Sequence, residues 1–215
     1  MESFVKVTGI AAPLMRANID TDLLIPSREI TGSGKDGYGA KLLAPWRYLP
    51  GPAGSRIENP DFVLNREPFR EARFLIADAN FGSGSSREPA VWAVRQFGLR
   101  GVIAPSFGAI FRNNCYRNGV LPIELPKDQV EDLAHDAESG RLVLTVDLDA
   151  CDIVRPDGTR IAFSVPPNER AMMLEGLDAI GLTLKLSAQI HAFQAADRKA
   201  RPWIWDIPQI AGDPV

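Results

Sequence analysis

The sequence predicts an α/β fold with a partly parallel central sheet flanked by helices. Short apolar runs recur at residues 73–78, 101–104 and 121–125. Between them, residues 87–97 and 106–118 carry apolar side chains at helical spacing. Strands alternating with helices imply βαβ crossovers, which make successive strands parallel and put ligand sites beyond their C-terminal ends.

Taken in order, Phe4, Val5, Val7 and Ile10 mark a first strand leading into Ala11-Ala12-Pro13. In N-I-D-T-D-L-L-I-P (18–26), Asp20, Thr21 and Asp22 form a polar turn before an apolar triplet stopped by Pro26. Residues 27–60 are rich in glycine and proline, and a loop this long in a compact domain is usually functional or flexible. Within it, residues 32–39 read as a lid with Lys35 as an exposed cation at its tip, or as an ordinary insertion.

The helix at 87–97 turns Ala90 or Val91, Val94 and Phe97 to one face. That at 106–118 turns Ile110, Phe111 and Cys115 inward and stops at Gly119, the usual residue after a helix C-terminus. A polar helix follows from Pro126 toward Gly140, then a strand at 141–148 with Leu142, Leu144, Val146 and Leu148 in alternation. Residues 153–154 and 161–165 form a hairpin around Pro156-Asp157-Gly158. Met172, Met173, Leu174 and Leu177 indicate a short helix whose methionines fill core. Ser187 caps a last amphipathic helix with Ile190, His191 and Phe193. We expect one domain over 1–200 and an apolar, proline-broken tail over 201–215, with Trp203 and Trp205 outside any regular element. Those tryptophans point to docking on a partner, folding back on the core, or self-association.

Composition narrows the functional classes. A net charge of −3 gives no general pull toward nucleic acid or anionic membrane. The N-terminus has an early acid and no long apolar run, and no window of about 18 apolar residues occurs, so neither a signal peptide nor a membrane span is expected. Cys115 and Cys151 are far apart; two cysteines make neither a disulfide scaffold nor an unaided iron–sulfur site, and a reducing cytoplasm is the simplest home. His135 and His191 fall in polar helical surroundings with no metal-ligand spacing, so no metal site is expected on this chain.

The chemistry concentrates in N-F-G-S-G-S-S-R-E (80–88), at the junction of a strand and a helix. Backbone N–H groups point outward there and hold an anion readily. Gly82 and Gly84 permit close approach, the serines supply hydroxyls, and Arg87 can clamp a carboxylate with two parallel hydrogen bonds. Arg87 stands where a dinucleotide fingerprint needs its third glycine, and the Gly-Lys-Ser/Thr of a Walker loop is missing. On the residues alone, an anion site with a serine base and a plain Gly/Ser turn capping a helix both fit.

Five motifs occur together in this order: N-I-D-T-D-x-x-I-P (18–26), the 80–88 loop, I-A-P-S-F-G-A-I-F-x-N-N (103–114), G-V-L-P-I (119–123) and G-L-D-A-I-G-L-T-L (176–184). With W-R-Y-L (46–49) and N-P-D-F-V-L-N (59–65), the set resembles the small subunits of 3-isopropylmalate dehydratase, of the aconitase superfamily, over nearly the whole chain to about residue 200. The resemblance implies the swivelling β/β/α domain. It implies a large-subunit partner carrying a [4Fe–4S] cluster, and dehydration and rehydration of a small 2- or 3-hydroxy acid. Ser85 would be the base, with Ser86, Arg87 and Gly84 on the substrate carboxylate. Asp20 and Thr21 would shape the site, and the segment 28–38, with Arg28 and Lys35, would read the substrate's side group.

The chain departs from the family pattern at Ser83, Pro89, Val91 and Glu29. An acid at Glu29 beside a pocket for an isopropyl group is unfavourable unless it points away. A related substituted malate or citrate-like acid, and a non-catalytic binding module, are therefore the alternatives.

Overall fold

The computed structural model describes residues 1–30, 34–52 and 55–205. The chain forms two compact units, Met1–Gly176 and Leu177–Val215.

The first unit opens with strand β1 (Lys6–Leu14), helix α1 (Thr21–Leu24), 3₁₀ turns at Ser27–Glu29 and Gly39–Lys41, and helix α2 (Ala44–Arg47). A small antiparallel pair, β2 (Tyr48–Leu49) and β3 (Ile57–Glu58), comes next. Then follow β4 (Phe74–Ala77), α3 (Glu88–Phe97), β5 (Gly101–Ala104), α4 (Ala109–Asn118), β6 (Leu121–Glu124) and α5 (Lys127–Ala137). The unit closes with β7 (Val143–Asp147), β8 (Asp152–Val154), β9 (Arg160–Ala162) and α6 (Pro167–Glu175).

Seven strands make one mixed sheet in the order β6-β5-β4-β1-β7-β8-β9. From β6 to β1 all pairs are parallel; from β1 to β9 all are antiparallel. The fold is therefore the α/β class expected, with a partly parallel sheet flanked by helices. Alternation along each parallel strand splits the core between two faces. Leu75, Ala77, Val102 and Ala104 pack with Ala90, Val91 and Val94 of α3. Phe74, Ile76 and Ile103 pack with Val130, Leu133 and Ala137 of α5. Both faces of β4 are buried, so it reads as a continuous apolar run, and each large side chain there contributes roughly 1.5–3 kcal/mol.

β1 runs four residues beyond Ile10, through Pro13. Its pairing with β7 ends at Ile10, and the Ala11 N–H donates to the Leu142 carbonyl on that side. Pro13 has the same parity as Ala11, so its missing N–H faces a side with no strand and costs no ladder bond. The parallel strands β1, β4 and β5 all end on one edge, and the 80–88 loop leaves β4 there.

Three expectations are corrected. Ile110 is 51% exposed, because the buried face of α4 is Phe111, Cys115 and Tyr116, centred about 150° round the helix. Ser187 is the first residue of its helix and caps nothing; the capping position is Leu186. Trp203 and Trp205 stand in a helical turn, not irregular chain. The second unit holds α7 (Ala179–Leu184), α8 (Ser187–Ala200) and α9 (Pro202–Trp205). Trp205 Nε1 donates to Asp197 at 2.9 Å, while Trp203 is exposed. Tail residues 206–215 lie outside the described residues.

Candidate active site

The 80–88 loop is held by main-chain bonds to two neighbouring segments. The Asn18 N–H donates to Ala79 O (2.9 Å), Gly82 N–H to Ile19 O (2.7 Å) and Thr21 N–H to Ser83 O (2.9 Å). From the other side, Phe81 N–H donates to Ser106 O (3.1 Å) and Gly108 N–H to Phe81 O (2.9 Å). These are short parallel bridges extending the sheet past its strands, Asp20 to Ser83 and Phe81 to Phe107. The loop can thread this gap only with left-handed residues at Asn80 (φ 61°), Gly82 (φ 71°) and Gly84 (φ 87°). At Gly82 a Cβ would stand 2.2 Å from the Phe111 ring, so both conformation and space require glycine there.

Side chains complete the frame. Asp20 caps α1 by accepting from the Leu23 N–H at 2.7 Å. Thr21, almost fully buried, donates from Oγ1 to the Ser85 carbonyl at 2.8 Å. Asp20, Thr21, Gly84, Ser85 and Arg87 are thus brought together from segments more than sixty positions apart.

The capping position of α3 is Arg87, with no side-chain cap, so neither Ser85 nor Ser86 serves the helix. Both serines are exposed, and among the described residues their hydroxyls take no hydrogen bond. The N–H groups of Gly84, Ser85, Ser86 and Arg87 likewise have no acceptor among the described residues. Consecutive unpaired N–H groups beside a helix N-terminus make a concavity suited to an anion. Arg87 is anchored through Nη1, to Asp22 Oδ1 at 2.5 Å and the Ile25 carbonyl at 3.3 Å. Its Nε and Nη2, the edge that matches a carboxylate, carry no partner among the described residues. Pro89 sits in the first turn of α3, where its missing N–H breaks no helical bond.

The segment after α1 is placed differently. Arg28 is exposed on the Ser27–Glu29 turn with no partner among the described residues. Glu29 points to Arg56, Oε2 to Nη2 at 2.7 Å, which removes the objection to an acid at this position. Lys35 is exposed, but its ammonium lies 4.9 Å from the centre of the Trp92 ring, and its carbonyl accepts from Gln96. Trp92 is four residues along α3 from Glu88, about 6 Å by helical rise, and among the described residues no contact joins Lys35 to the Ser85 loop. Of the expected lid over 32–39, residues 32 and 33 lie outside the described residues.

The sequence gives no role in the site to Gln96 or Arg56, and shows Asp22 only as part of a polar turn, not as the partner of Arg87. Asp22 stood in the same N-I-D-T-D motif as Asp20 and Thr21; the other two carried no local signal. Elsewhere, burial pushes the Cys115 thiol up, and the Tyr116 hydroxyl up to about 12, so neither is an ionisable participant near neutral pH. Among the described residues no three His, Cys, Asp or Glu side chains come together as metal ligands. No described helix is long and apolar enough to cross a membrane.

The mixed sheet, with its exposed turn of unpaired N–H groups, is an α/β domain of the aconitase type, as comparison shows. The sequence profile of the aconitase C-terminal domain matches residues 1–128. The chain is 51% identical over 206 residues to a 3-isopropylmalate dehydratase small subunit of Cupriavidus necator, covering 95% of this chain and 98% of that protein. It is 50% identical to one of Gluconacetobacter diazotrophicus, over 94% and 97%. A crystal structure of 3-isopropylmalate dehydratase from Methanocaldococcus jannaschii superposes with a TM-score of 0.62 at 25% identity, over 88% of this chain and 99% of that one. The chain belongs to the family of 3-isopropylmalate dehydratase small subunits.

Proposed function

We propose that this chain is the small subunit of a cytoplasmic iron–sulfur hydro-lyase that interconverts 2- and 3-isopropylmalate in leucine biosynthesis, and that it acts only with a large subunit. The observation that carries the reading is the uncommitted Ser85 hydroxyl, set in a turn of unpaired N–H groups beside the free edge of Arg87.

In this reading Ser85 Oγ removes the proton α to a carboxylate. A serine is a poor base unless its alkoxide is stabilised. The N–H groups of Gly84 and Ser86 and the positive charge of Arg87 supply that stabilisation without reorganisation during the reaction. The Nε/Nη2 edge of Arg87 and the Ser86 hydroxyl bind the substrate carboxylate. Thr21 holds the Ser85 main chain, and Asp20 holds the turn that carries Thr21. Arg28 is a second cation for substrate on the adjoining segment. The [4Fe–4S] cluster, held by the large subunit, supplies a Lewis acid for the leaving hydroxyl.

The test is anaerobic co-expression with a cluster-bearing large subunit, followed by absorbance assays of dehydration on isopropylmalate, citramalate, citrate and dimethylmalate. Turnover of isopropylmalate is expected. Activity on another acid alone would replace the substrate but keep the reaction class. Silence on all four, with the cluster intact and the subunits bound, would favour a non-catalytic binding module.

A further inference from the structure

Two described positions of the stretch that continues from the Arg87 contact, Glu29 and Ala40, are joined by the Arg56 side chain. Ile25, whose carbonyl accepts from Arg87, is followed at once by Pro26 and the Ser27–Glu29 turn. Arg56 spans from that turn to the far end of the loop. Its Nη2 donates to Glu29 Oε2 at 2.7 Å and its Nη1 to the Ala40 carbonyl at 2.8 Å. Residues 29 and 40 bracket the segment between them. The guanidinium lies 5.0 Å from the centre of the Tyr48 ring, and the Tyr48 hydroxyl donates to the same Ala40 carbonyl at 2.8 Å.

The far arm of the loop has its own attachment. Gln96 accepts from the Tyr38 N–H at 2.8 Å and donates to the Lys35 carbonyl. Tyr38 is buried edge-on against Trp92, with ring centres 5.5 Å apart. A Cβ on Gly39 would stand 2.5 Å from the Gln96 carbonyl, and Arg47 Nη1 donates to the Gly39 carbonyl at 3.0 Å. This arm is therefore part of the body of the domain. The near arm, with Arg28, leaves buried Ile25 and Pro26, packs Ile30 on the core, and is joined to the far arm by Arg56, whose own side chain is 39% exposed.

We infer that Arg56 is a positioning residue for substrate selection: by joining Glu29 to Ala40 it sets where the segment carrying Arg28 meets the substrate's side group. Arg56 touches neither the Ser85 loop nor, in this scheme, the substrate. It acts through Glu29. The pair also accounts for Glu29, the position at which this chain departs from its family pattern: the acid serves as the near-arm anchor. The inference rests on the proposed isomerase reading, because only a bound hydroxy acid gives the segment something to select.

The experiment compares wild type, Arg56→Met and Arg56→Lys, each reconstituted anaerobically with the large subunit. Steady-state constants are measured on isopropylmalate and on malates with smaller side groups, and thermal melts are recorded for each small subunit. Arg56→Met should raise KM for isopropylmalate about tenfold, with kcat within about twofold, since ångström-scale misplacement weakens binding of the side group. Its preference for isopropylmalate over methyl-bearing malates should fall by a similar factor. Arg56→Lys, which can reach only one of the two acceptors, should recover part of the preference. Melts should stay close to wild type. A folded Arg56→Met enzyme with wild-type KM and preference would overturn the inference alone. So would kcat and melting temperature falling together with preference unchanged, which is the signature of a merely structural role. Wild-type silence on every acid would instead overturn the isomerase reading, and this inference with it.

Discussion

The 80–88 loop and the 27–60 segment differ in how far they depend on side chains for their anchoring. The Ser85 loop is held by main-chain bridges to Ile19, Thr21, Ser106 and Gly108, with left-handed backbone at three positions. The 27–60 segment has main-chain bonds too, Leu43 N–H to Leu24 O (2.9 Å) and the β2–β3 pair, but relies in addition on side chains: Arg56 on Glu29 and Ala40, Gln96 on Lys35 and Tyr38, and buried Arg47 on Asn65 and Gly39. Main-chain bridges survive most substitutions, because every residue but proline has the same groups. Side-chain ties disappear with the side chain. Geometry set by the backbone and geometry set by side chains can therefore change independently.

Substitutions test that contrast, beginning with the largest effect. Ser85→Ala should leave folding and subunit assembly intact while cutting kcat by roughly a thousandfold or more, the scale of losing the group that transfers the proton. Retention of more than a few per cent of wild-type rate would remove Ser85 as base. Gly82→Ala attacks the backbone itself. Alanine at φ 71° against the Phe111 ring should cost about 3 kcal/mol of stability, read as a lower urea midpoint at unchanged slope. An unchanged midpoint would mean the loop is less tightly threaded than these contacts imply.

Arg87→Lys is smaller. A point charge can keep the Asp22 contact but cannot offer a two-pronged edge, so KM should rise about tenfold with a lesser change in kcat. Unchanged constants would exclude Arg87 from carboxylate binding. Thr21→Val is smaller still. It removes the one side-chain bond to Ser85 among the described residues, at about 1 kcal/mol, and should lower kcat only a few fold. If it matched Ser85→Ala in effect, the loop would depend on side chains after all, and the contrast with the 27–60 segment would fail.

The parts of this arrangement that were legible in sequence share a property: their signal is local. The buried strand at β4, the helix after it and the glycine-rich turn between them occupy one continuous stretch, so period and composition display them. Pro126 and Gly140 bracket α5 by the same logic. The face of α4 was misread at Ile110, because which side of a helix is buried depends on what packs against it. The short structure inside 27–60 was read only as loop, since two- to four-residue turns leave no period to detect.

Lys35 and Glu29 show the deeper reason. Both stand close in sequence to the N-I-D-T-D motif. Lys35 in fact meets Trp92 and Gln96, about sixty positions on, and Glu29 meets Arg56, 27 positions on. The amino-acid sequence alone determined the α/β class, the order of its elements, the Ser/Arg turn at a strand end, and the family. Tertiary structure decided which hydroxyls and N–H groups are left without partners, which acid is neutralised, and which cation is drawn off onto an aromatic ring. Those outcomes depend on pairs far apart along the chain, brought within about 3 Å only when the sheet forms, and local pattern carries no record of them.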